Sequence, residues 1–60
     1  MPVISVDMVA GKTAEQKRKL IEGFTKTACE VIGCEPDRVT VILREIPPSS
    51  WGKSGQPKGQ

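Results

Sequence analysis

The apolar residues of this chain change period twice within 60 residues, and that switch limits the fold more than any other feature. From Pro2 to Val9 they alternate. Ile4, Val6 and Met8 share one face and Val3, Ser5 and Asp7 the other, the pattern of a strand with one buried side. From Ala14 to about Ile32 the period becomes 3.6. Leu20, Phe24, Ala28 and Val31 fall on one stripe, Ile21 and Ile32 widen it, and Lys17, Lys19, Glu22, Lys26 and Glu30 point to solvent or a neighbour. Alternation then returns from Val39 to Ile46, with Val39, Val41 and Leu43 on one face and Thr40, Ile42 and Arg44 on the other.

The residues between these runs agree with the reading. Thr13 is an N-cap, and Gln16 stands three residues later at capping-box spacing. Gly33 is the C-cap signal, and Glu35, Pro36 and Asp37 form a turn. Pro47 and Pro48 end the second strand, because proline cannot donate to a ladder. Gly23 is costly in mid-helix, about 1 kcal/mol against alanine. Either it permits a close approach by a strand or neighbouring chain, or it is tolerated drift. The tail with Trp51, Gly52, Gly55 and Gly59 reads as a loop or a short hairpin, and residues 53–60 as a flexible tail.

Strand, long helix and strand make one βαβ unit, an α/β fold (α+β in some schemes), with two parallel strands and a right-handed crossover. Residues 1–60 are expected to form this single domain. One helix covers only one face of such a sheet, so the other face is expected to pack on another copy. Size points the same way, since a domain this short buries only about 60% of its unfolded surface alone. Other sources of stability are poorly supported. Cys29 and Cys34 lack zinc half-site spacing, and the chain has no histidine to complete a site. They are expected to be reduced thiols rather than a disulfide. No metal or other cofactor is expected.

Composition removes several function classes. A net charge of +2 and an aromatic inventory of Phe24 and Trp51 do not suit nucleic-acid binding. No run approaches the roughly eighteen apolar residues of a membrane span. The first ten residues carry Asp7 and lack a basic n-region, so a cytoplasmic protein is expected. A Ser-His-Asp or Cys-His set is excluded within the chain, and neither a GxGxxG nor a Walker motif occurs.

Pro2 is the informative residue. A small side chain at position 2 favours removal of Met1, which would expose the secondary amine of Pro2. An α-amino group titrates near 8, and proline is somewhat more basic. Nearby cations and an apolar wall would lower that value towards neutrality, where a general base works best. By composition alone Pro2 reads first as a harmless start to a strand.

The Met-Pro start, the strand Val3 to Met8 and Gly11-Lys12-Thr13 followed by Glu15-Gln16-Lys17 form an ordered set. Leu20-Ile21, Val39-Thr40-Val41-Ile42 with Glu45, and Trp51-Gly52 continue it. In this order and length the chain resembles the 4-oxalocrotonate tautomerase family. The resemblance implies a tautomerase-like βαβ protomer, dimers with a four-stranded sheet, and a homohexamer built as a trimer of dimers. A simple dimer is the smaller alternative, and a hetero-oligomer is open. It implies that Pro2 moves a proton within a small carboxylate substrate, a 2-hydroxydienoate or enolpyruvate-type acid, as in the catabolism of aromatic compounds.

The family's arginine after the first strand matches Lys12, its second-strand arginine, which comes from a neighbouring chain, matches Thr40, and its tail aromatic matches Trp51. Lys12 keeps the charge but not the planar fork, and Thr40 loses the charge. The resemblance makes Lys12 an anion contact rather than a solvated turn lysine, and Trp51 a pocket wall rather than an interface anchor. Arg44 lies on the face of Thr40, about 13 Å along the strand. It reads as a shifted substrate contact or as an ion pair of the surface or interface. Hydration, dehalogenation and decarboxylation are alternative activities, and a non-catalytic or partner-dependent subunit is the main rival reading. A scaffold module using the exposed sheet face and Trp51 is a second.

Overall fold

A computed structural model describes residues 1–59. Strand β1 spans Val3–Val9, helix α1 Ala14–Ile32 and strand β2 Thr40–Ile46, and the two strands pair in parallel. Val3 sits opposite Thr40 and Val9 opposite Ile46, without a bulge between them. A 3-10 turn, Pro36–Arg38, leads into β2, and a second, Pro48–Ser50, leaves it. The tail forms a two-residue hairpin of β3, Gly52–Lys53, and β4, Gln56–Pro57. The βαβ unit and a C-terminal hairpin are therefore both present.

Local signals place the helix where the sequence does. Thr13 Oγ1 accepts from the Gln16 amide and Gln16 Oε1 from the Thr13 amide, both at 3.0 Å. This reciprocal cap satisfies donors that the first turn leaves without partners. At the other end Gly33 takes the left-handed conformation, φ 82°, and its amide donates to Cys29 O. A Cβ at Gly23 would meet nothing within 4 Å, so no close approach within the protomer requires glycine there. Both cysteines are free.

The stripe of α1 is buried over only part of its length. Leu20 and Phe24 are half-buried, Ala28 is buried, and Val31 is 79% exposed. Length explains the difference. A 19-residue helix is about 28 Å long and a seven-residue strand about 23 Å, so the last turn overhangs the sheet. Ile32 is exposed there as well.

On β1 and β2 the helix-side residues Ile4, Val6, Val41 and Leu43 are half-buried, and Val3, Ser5, Asp7, Thr40, Ile42 and Arg44 lie on the uncovered face. The result is thin, measuring 43 × 23 × 13 Å. Its radius of gyration is 14.2 Å, against about 10 Å for a compact chain of this length. It exposes 4544 Å², where a compact 6.5 kDa monomer exposes about 3,800 Å². The excess approaches the roughly 800 Å² that one partner contributes to a standard interface.

Candidate active site

Pro2 precedes β1 and is half-buried. Its carbonyl accepts from the Thr40 amide at 3.1 Å, which ties it to the N-terminal end of the sheet. Thr40, which the sequence offers only as a lost charge, is thus the β2 residue that holds Pro2 in place. With Met1 attached, the Pro2 nitrogen is a tertiary amide without a proton to exchange.

Lys12 lies at the opposite end. The Ala10 amide donates to Ile46 O at 2.8 Å, so the turn that follows β1 sits beside the C-terminal end of β2. About 23 Å of strand separates that turn from Pro2. Gly11 makes the turn with φ 122°, a conformation that favours glycine. Lys12 borders an open cleft of about 370 Å³ with Gln16, Lys19 and Leu20.

Glu45 braces this end. It follows Val41 and Leu43 on the helix-facing side of β2, and its carboxylate accepts from Lys17 Nζ at 2.8 Å. Lys17 holds the Glu45 carboxyl below the usual range, helped by the backbone amides of Gly11 and Lys12. One side chain therefore links β2, the turn with Lys12 and the start of α1. Sequence reasoning missed this role, although a carboxylate on the apolar face of a strand was a signal for it.

Arg44 faces Asp7 directly across the ladder, and its Nε donates to Asp7 Oδ1 at 2.6 Å. This pair lies on the uncovered face, roughly 16 Å along the strands from Pro2. Arg44 holds the Asp7 carboxyl below its ordinary 3.8, first through the hydrogen bond and then through its charge. The folded value lies below the unfolded one. The pair therefore adds stability above the ordinary carboxylate range, and that stability is lost as pH falls through the lowered value. Titration followed by carboxyl NMR is expected to find Asp7 with a midpoint below 3.8 and to return it to the ordinary range in Arg44→Gln.

Trp51 follows the C-terminal end of β2. Its amide donates to Pro48 O at 3.2 Å and its carbonyl accepts from Lys58 at 2.7 Å, so the second turn and the hairpin hold it half-buried. Within one protomer, then, Pro2 stands with Thr40 at one end of the sheet, while Lys12, Arg44 and Trp51 belong to the other.

Comparison with known proteins adds an independent line. A family model described as tautomerase enzyme matches residues 2–60. A protein of Ralstonia nicotianae described as a probable tautomerase is 40% identical over 58 residues, covering 97% of this chain and 83% of its own. The 2-hydroxymuconate tautomerase of Comamonas testosteroni is 33% identical over 55 residues, covering 92% and 87%. A heterohexamer 4-oxalocrotonate tautomerase from Chloroflexus aurantiacus superposes with a TM-score of 0.93 at 25% identity, covering 100% and 97%. Among the described residues no helix is long and apolar enough to cross a membrane.

Proposed function

The chain belongs to the tautomerase family, and on that premise we propose that it is a keto-enol isomerase of 2-hydroxydienoate or enolpyruvate-type acids with Pro2 as its proton carrier. The observation that carries this reading is the placement of Pro2. A half-buried residue is tethered at the head of β1 by the Thr40 amide, at the position where loss of Met1 leaves an amine on a rigid ring.

Neutral Pro2 removes the proton from the enol oxygen or an α-carbon. The prolinium so formed returns it at a conjugated carbon, so the reaction balances without an external acid or base. The cycle calls for no metal or organic cofactor. A carboxylate on the substrate fixes which carbon faces the amine. Lys12 would bind such an anion or steady the developing dienolate, and Trp51 would keep water out.

The separation of these residues along the sheet supports a site built between copies. Lys12 and Trp51 of one protomer cannot close on its own Pro2 without crossing the length of the sheet. They would be available to the Pro2 of a neighbouring copy whose Pro2 end meets this end of the sheet. We take a homohexamer of three dimers as the assembly, with a dimer as the smaller form. The pairing of Arg44 with Asp7 supports an ion pair of that face over a substrate contact.

The second reading is a subunit that depends on a different partner chain. It is favoured by Thr40 at the strand position where the family carries arginine, and a relative of this fold is described as a heterohexamer. Purified homo-oligomer should ketonise phenylenolpyruvate or 2-hydroxymuconate, followed by ultraviolet absorbance. Activity that appears only after a second, similar chain is added would select the partner-dependent reading.

A further inference from the structure

The chain has nine lysines and arginines. Four of them are committed: Lys17 to Glu45, Arg18 to Glu15 and Glu22, Lys19 to Glu15, and Arg44 to Asp7. Among the described residues the other five make no ion pair. Lys12 borders the far end of the sheet, Lys26 lies on the outer surface of α1, and Lys53 and Lys58 belong to the hairpin region. Lys26 also borders Pro36 from α1, but of the five Arg38 is the one carried by the turn that runs directly into β2 beside Pro2.

Its backbone is fixed there by three successive hydrogen bonds. The Arg38 amide donates to Glu35 O at 2.9 Å, the Val39 amide to Pro36 O at 3.2 Å, and the Thr40 amide to Pro2 O at 3.1 Å. The side chain, by contrast, is exposed, and among the described residues it bonds neither Glu35 nor Asp37 in its own turn. A rigid base and an uncommitted head are what a ligand-binding arginine requires. Its planar fork matches a carboxylate with two parallel hydrogen bonds, which a lysine cannot provide.

We propose that Arg38 binds the substrate carboxylate beside Pro2 of its own chain, and so selects acids over neutral enols. This rests on the reading of Pro2 as the proton carrier. A cation on the same chain as Pro2 then holds the carboxylate without help from position 40, and one carboxylate per substrate suffices. Nothing in the sequence alone marks Arg38, because its nearness to Pro2 exists only through the strand register.

The test compares wild type, Arg38→Gln and Arg38→Lys on phenylenolpyruvate and on its methyl ester. Arg38→Gln is expected to raise KM for the acid about tenfold or more, the scale of a lost charge-assisted hydrogen bond. It should leave KM for the ester unchanged. Arg38→Lys should fall between the two, since charge remains and the fork is lost. A binding arm separates this from the chemistry. In Pro2→Ala, the Kd of cinnamate measured by calorimetry should rise about tenfold when Arg38→Gln is added. If Pro2→Ala keeps its rate, the catalytic reading fails, and the cinnamate arm still decides Arg38. Equal KM changes for acid and ester would overturn the proposal. So would an unchanged cinnamate Kd, or a loss in Lys12→Met with none in Arg38→Gln.

Discussion

Pro2→Ala is expected to lower kcat/KM for ketonisation by about ten- to a hundredfold, less than the roughly 10²- to 10⁴-fold that a positioned general base contributes in full. Alanine leaves a primary amine at the same terminus, so the loss measures the ring and its basicity rather than the presence of nitrogen. The ring matters because it has no freedom about φ, and its carbonyl is already held by Thr40. The amine of the alanine variant must be oriented at an entropic cost in every turnover. In the wild type, kcat/KM should fall as pH drops through the proline pKa, because prolinium cannot accept the first proton. Intact mass must show Met1 absent from both proteins. Wild-type rates in the variant, or full activity in a chain that still carries Met1, would remove Pro2 from the mechanism.

Ile42→Lys should break the assembly and, with it, the fold. Ile42 is 40% exposed on the uncovered face, opposite Ser5 and close to Val3, which is 62% exposed. If a second copy covers this face, lysine there buries a charge without a partner, at a cost of several kcal/mol. The protomer has little with which to absorb that loss. Ala28 is its buried hydrophobic residue among those described, and total stability for domains is only about 5–15 kcal/mol. Dissociation and unfolding should therefore coincide, seen as a monomer-sized species by sedimentation with reduced helical circular dichroism. The wild type should show a Tm that rises with protein concentration, as expected when association and folding are linked. An Ile42→Lys protein that stays oligomeric at the wild-type Tm would show that the sheet face is not the interface.

The sequence was most informative where structure is local. The bounds of α1, the reciprocal cap of Thr13 and Gln16, and the left-handed Gly33 were all legible, because each depends on residues within one turn. The two faces of each strand were legible for the same reason, since alternation is a property of neighbours. The reading went too far at Val31 and Ile32. Their period matches the buried stripe, but periodicity says nothing about where the sheet ends. It gave Thr40 too little weight, because a backbone amide carries no trace of side-chain identity.

What the sequence determined by itself is the βαβ order, the face that meets the helix, and Pro2 at the head of the first strand. These follow from short-range periods and from the chemistry of a proline at position 2. Only the tertiary structure decided which charges are committed and which ends of the sheet they occupy. The parallel register brings Pro2 beside Thr40 and Asp7 beside Arg44, residues nearly forty positions apart. It also leaves Arg38, among the described residues, without an ion pair in the turn beside Pro2, and puts Lys12 about a strand length away. That arrangement comes from the crossover through α1, which sets the register of two strands that no local pattern connects.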